Sequence, residues 1–198
     1  MFSVDGAGLY QQTLPSAEFA PGLREKWGIY LTNKLAEANW TKDVAGEKAW
    51  EVLFRGFLDA MTHKRIGMVI SGVCGVGKTS FVEATRVCTR VIHCILPEEV
   101  GWLDYMDYPE SVRELMECNI LIDDLGAENE VNQYGVHRDL VGEFIGRYEL
   151  RGKGRLFITT NLTGAQLHER YQDRIVSRLK NLCVPVQFPG KDKRKWLV

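Results

Sequence analysis

Nine consecutive residues combine three glycines with a lysine and two hydroxyls: Gly72, Val73, Cys74, Gly75, Val76, Gly77, Lys78, Thr79 and Ser80. They follow the apolar run IGMVI and match G-x-x-x-x-G-K-[ST], a pattern that turns a strand into a helix. Glycines remove the Cβ atoms that would block close approach to the backbone. Successive N–H groups then line a hollow for an anion, and the positive end of the following helix adds to it. In such a cradle Lys78 would reach the β and γ phosphates of a nucleotide, and the Thr79 hydroxyl would help hold Mg²⁺. Cys74 falls at a variable position of the pattern and needs no role of its own.

A cradle alone hydrolyses nothing, so a second element must bring a carboxylate to the metal. The stretch CNILIDDLGAE, residues 118–128, is an apolar strand ending in Asp123 and Asp124. Asp123 is the candidate metal carboxylate, and Asp124, or else Glu128, the group that would polarise an attacking water. The alternative is that these acids merely cap a strand at the surface. A third run, LFITTNLTG, ends in Thr159, Thr160 and Asn161 where strand ends converge. Asn161 either orients water or simply forms a turn. In LHERYQDRIVSRL, Arg170, Arg174 and Arg178 recur every four residues and so share one side of a helix. That stripe is either solvated, balanced by Glu169 and Asp173, or faces a neighbouring subunit's γ phosphate as an arginine finger does.

These groups need a scaffold, and the chain supplies alternating patterns for one. Five short runs (IGMVI, RVIHCIL, NILI, RLFIT, VPVQF) alternate with helical periodicity from Ile66 onward, which predicts a parallel sheet with helices on both faces. Pro185 cannot donate a ladder hydrogen bond, so its strand belongs at an edge. Capping-box spacing marks helix starts at Ser111/Glu114 and at Thr163/Gln166. Val136, Leu140, Phe144, Ile145 and Tyr148 would form the buried face of the helix between the third and fourth strands. Before the sheet, a helix is expected from about Ala17 to Trp40, with Leu23, Trp27, Leu31 and Leu35 at a spacing of four. A second carries Trp50, Leu53, Phe54, Phe57 and Met61 as a core stripe. Residues 1–16 read as a mobile lead, and the closing KDKRKWLV as a basic, solvated tail.

The 198 residues suit one α/β domain with a short extension, and the net charge of −1 excludes a global field for nucleic acid. Five cysteines without a C-x-x-C pair fit reduced thiols and no metal-ligand spacing recurs. No apolar run approaches the ~20 residues that span a bilayer, and the start lacks the marks of a secretory signal. A cytoplasmic protein with no membrane association is therefore expected.

The segments ILIDDLGAE, ITTNL, RYQDRIVSRL and VQFPGKDKR, in this order behind the glycine-rich loop, resemble the AAA+ ATPases. Within them the chain is similar to the helicase-loader group, of DnaC/DnaI type, together with IstB-type transposition helpers. The resemblance spans roughly residues 66–195. It implies an α/β P-loop NTPase fold of AAA+ type, three-layered, with a five-stranded parallel sheet. Residues 1–62 would be a helical extension and 63–198 the ATPase core, without room for a C-terminal lid. It further implies ATP and Mg²⁺ as cofactors, Asp123 as the Walker B metal carboxylate and Asn161 as sensor 1. Arg178 would be the finger that completes a neighbour's site, Arg174 its reserve, and Arg194 a late basic residue near the nucleotide. Many such proteins carry Glu where Asp124 stands, so hydrolysis is expected to be slow or to use another base. The implied function is ATP-dependent helicase loading on single-stranded DNA by a nucleotide-dependent homo-oligomer, with a replicative helicase or a transposase as partner. Competing readings are an IstB-type transposition ATPase, a P-loop kinase for a small metabolite, and a non-hydrolysing ATP-gated DNA-binding adaptor.

Overall fold

The computed structural model describes residues 3–4, 10–11, 23–37, 40, 46–63, 66–86, 91–97, 99, 109–128, 131–133 and 136–192. Two helices, α1 (Leu23–Glu37) and α2 (Glu47–Thr62), precede β1 (Gly67–Ser71) and α3 (Lys78–Ala84). Then come β2 (Val91–Ile95), α4 (Pro109–Glu117), β3 (Asn119–Leu125), α5 (Leu140–Arg151), β4 (Leu156–Thr160), α6 (Gly164–Leu182) and β5 (Cys183–Gln187). All five expected strands form one sheet in the order β2-β3-β4-β1-β5, and every pairing in it is parallel. Pro185 lies on β5, which among the described residues pairs only with β1, so its missing N–H faces away from the ladder.

Strand alternation explains the layers. Met68 and Ile70 of β1, Leu121 of β3 and Phe157 of β4 join one apolar cluster with α1, α2 and α3. Their neighbours Val69, Ile120, Ile122, Leu156 and Ile158 point the other way, into a second cluster with α4, α5 and α6. The α2 stripe is core, with Leu53 and Phe57 fully buried, and Trp50 and Phe54 packed against that core. Trp40 stacks on Trp50 at 5.7 Å and meets Phe81 of α3 edge-on at 5.0 Å. The first two helices therefore share their apolar interior with the sheet. Arg155, just before β4, reinforces this by donating from one guanidinium nitrogen to the carbonyls of Ala60 and His63, each at 2.7 Å.

Four expectations on local structure change. The helix expected from Ala17 to Trp40 is described over Leu23–Glu37 and has ended by Trp40; residues 17–22, 38 and 39 lie outside the described residues. In the expected mobile lead, Ser3–Val4 pairs with Tyr10–Gln11 in an antiparallel ribbon. The helix expected to start at Ser111 begins earlier, at Pro109, a residue pre-set for the first helical position. Val136 belongs to a short hairpin, Val131–Gln133 with Val136–Arg138, because Asp139 caps α5 by accepting from the Gly142 N–H at 2.8 Å. The Thr163/Gln166 capping box forms as expected, both halves present. No helix among the described residues is long and apolar enough to cross a membrane.

Candidate nucleotide site

The glycine-rich loop leaves the carboxyl end of β1 and is held from both neighbouring strands. Gly72 N–H donates to the Thr160 carbonyl at 3.2 Å, and Phe188 N–H donates to the Ser71 carbonyl at 2.7 Å. A Cβ on Gly72 would lie 2.9 Å from the Phe188 carbonyl oxygen, so no side chain fits there. Gly75 and Gly77 take φ of 74° and 104°, the left-handed backbone that bends the loop back into α3. Val76 is the loop's anchor, buried in the core, while Val73, Cys74, Thr79 and Ser80 are exposed.

Lys78 is only 6% exposed. Its Nζ donates to the carbonyls of Gly72 at 2.9 Å and Val73 at 3.0 Å, and to Asn161 Oδ1 at 2.7 Å. The ammonium therefore stands inside the loop, ringed by neutral oxygens, with no carboxylate among those three partners.

The acidic pair comes together through a strand irregularity. Neighbours on a strand point to opposite faces, which would send Asp123 and Asp124 apart. The β3–β4 register shifts between Ile122 and Leu125, and Asp124 takes φ 63°. Such a bulge re-aims a side chain. Asp123 Oδ1 accepts from Thr79 Oγ1 at 2.9 Å and from Thr159 Oγ1 at 2.5 Å. Asp124 Oδ1 accepts from Asn161 Nδ2 at 2.5 Å, and Asp124 N–H donates to Thr159 Oγ1 at 2.8 Å. Asn161 thus bridges Lys78 and Asp124, and Thr159 links both aspartates. At the end of β2, burial and then the negative charge of Asp123 push the Cys94 thiol's pKa up, which keeps it a neutral neighbour.

These residues fit a magnesium-bound triphosphate. The loop is open to a close backbone approach and carries one buried cation, and beside it a hydroxyl and a carboxylate share a hydrogen bond. Among the described residues no three or more His, Cys, Asp or Glu side chains are so grouped that they could hold a metal ion by themselves. A hard cation here would draw its remaining oxygens from phosphates and water, the habit of Mg²⁺.

The arginine stripe is distributed differently. Arg170 pairs with Glu128 at 3.4 Å. Arg178 lies in the opposite layer from α3, its Nε 3.4 Å from Glu149 Oε2 and one guanidinium nitrogen 1.6 Å from where a Gly146 Cβ would stand. Arg174 is exposed. Arg194 lies outside the described residues. Sequence reasoning missed Glu149, Arg155 and Tyr171 as partners; no local pattern marks contacts so distant along the chain.

A five-stranded parallel sheet in this order, with the lysine loop after β1 and the acidic end of β3 beside it, is an α/β fold of the P-loop NTPase kind. Among solved structures the chain is similar to the crystal structure of the DnaC helicase loader, with a TM-score of 0.56 at 16% sequence identity. The match covers 71% of this chain and 90% of that one. At that identity the likeness is one of fold. No family model and no curated protein matches the chain.

Proposed function

We propose that the chain binds and hydrolyses ATP with Mg²⁺ and acts in DNA replication as a helicase loader on single-stranded DNA. The observation that carries this reading is the continuous set of contacts from Lys78 through Asn161 to Asp124, beside the Thr79–Asp123 pair, in the fold of a helicase loader. Lys78 would exchange its carbonyl partners for phosphate oxygens. Asp123 and Thr79 would hold Mg²⁺, which supplies positive charge to the β and γ oxygens. Asp124, oriented by Asn161, would position the attacking water. A group acting on a neighbour's nucleotide must be free of its own chain. Arg174 meets that condition better than Arg178, which Glu149 engages.

A second reading draws on one contact. The Asn161 amide occupies Asp124 Oδ1 at 2.5 Å, which favours an ATP-gated adaptor that binds without turnover. The deciding experiment measures ATP turnover of wild type and Lys78→Ala, with and without single-stranded DNA, while recording mass in solution. DNA-stimulated turnover and ATP-dependent assembly, both lost in Lys78→Ala, are expected. Binding without turnover selects the adaptor, and a monomer indifferent to DNA overturns the loader.

A further inference from the structure

The loop after Asp124 cannot hold its shape alone. Asp124 and Gly126 both take left-handed backbone, φ 63° and 99°, and Ala127 N–H closes the turn onto the Asp124 carbonyl at 3.0 Å. On one side the turn presses on the residue following Asn161: a Cβ on Gly126 would lie 2.4 Å from Leu162 Cδ1. On the other side stands Glu128. Its Oε2 accepts from Gly126 N–H at 2.8 Å, and its Oε1 accepts from the Tyr171 hydroxyl and faces the Arg170 guanidinium at 3.4 Å. Arg170 also donates to the Glu128 carbonyl oxygen.

Both carboxylate oxygens are therefore committed, on a side chain 9% exposed. Burying a charge this far is costly unless partners satisfy it, and here they do. Glu128 is thus occupied away from the part of polarising water. Burial, and then the hydrogen bond to Glu128, raise the Tyr171 phenol's pKa above its ordinary value, so it remains a donor. Immediately after Tyr171 the helix breaks at Gln172, φ 57° and ψ 173°, a conformation almost confined to glycine that persists only where surrounding contacts over-determine it. The clasp on Glu128 ends one residue before that break.

We propose that Glu128 is a positioning residue: held by Gly126, Arg170 and Tyr171, it fixes the turn that carries Asp124 and so sets where the water-orienting carboxylate stands. The proposal rests on reading the site as hydrolytic. It assigns Glu128 no contact with nucleotide.

The test measures steady-state ATP turnover and affinity for a fluorescent ATP analogue in wild type, Glu128→Gln, Tyr171→Phe, Asp124→Asn and the Asp124→Asn/Glu128→Gln double variant. Glutamine keeps the shape but replaces one carboxylate oxygen with an NH₂ and removes the charge, so it loses either the acceptor of the Gly126 N–H or the one facing Arg170 and Tyr171. Since small misplacements of a reacting group cost up to about a hundredfold in rate, kcat is expected to fall at least roughly tenfold in Glu128→Gln and in Tyr171→Phe. KM and analogue affinity should stay within about twofold of wild type, and Glu128→Gln should cause no further fall on the Asp124→Asn background. Unchanged kcat, or an equal further fall on that background, overturns the proposal. Tyr171→Phe removes one oxygen and carries the comparison alone if Glu128→Gln does not fold. Wild type that binds the analogue without turnover overturns the positioning role but leaves the nucleotide site standing. Wild type that does not bind overturns both.

Discussion

At the scale of single residues, Thr159 does more than its place at a strand end suggests. Buried to 1% exposure, it donates to Asp123 and accepts from the Asp124 N–H. Thr159→Val keeps the shape but leaves that N–H unpaired, so unfolding free energy should fall by about 1–3 kcal/mol in denaturant titrations. Mg²⁺-dependent nucleotide affinity should fall with it. An unchanged midpoint would mean that the bulge holds itself. Lys78, Thr79 and Asp123 are legible in the sequence because a motif of fixed spacing demands those chemistries. Asn161 is legible only as a choice between site and turn, and its bonds to Lys78 and Asp124 bind it to the site. The bulge that turns Asp124 is not legible at all, because it arises between β3 and β4 and not within either.

Among the elements, five strands, their parallel pairing and the edge position of β5 follow from apolar runs and one proline. Boundaries follow less well because two local signals can compete. Val136 continues the period of four that leads into α5, yet Asp139 satisfies an N–H of that helix's first turn and starts it later. The Ser111/Glu114 spacing lies inside a helix already begun at Pro109. The break in α6 has no sequence mark, since Gln172 is a competent helix former. Its strained backbone is worth roughly 1–3 kcal/mol, against about 0.5–1 for the extra entropy of an unfolded glycine. Gln172→Gly should accordingly raise stability by about 1 kcal/mol, read from thermal or denaturant unfolding. A loss of similar size, as for glycine in a continuous helix, would show the break to be absent.

For the whole molecule, the joint between the first helices and the sheet is the feature of longest reach. Arg155 opens the fourth apolar run and reads as an ordinary strand-flanking charge. Instead it gathers the carbonyls of Ala60 and His63, with that of Ile66 at 2.5 Å, like a cation at a helix carboxyl end. Burial lowers its pKa from the ordinary arginine value, and the carbonyls compensate the buried charge. Arg155→Met keeps the length and removes the donors. About 2–3 kcal/mol of stability should go with them, lowering the single unfolding transition. An unaltered transition would show α2 to be held by apolar packing alone. That packing has an optical corollary. Trp40 lies against Phe81 at the start of the helix that follows the lysine loop, and 6.5 Å from Phe188, whose carbonyl crowds Gly72. A variant keeping Trp40 as its sole indole would carry a built-in fluorophore there, and its emission maximum should shift as a ligand settles into the glycine loop, without any attached dye.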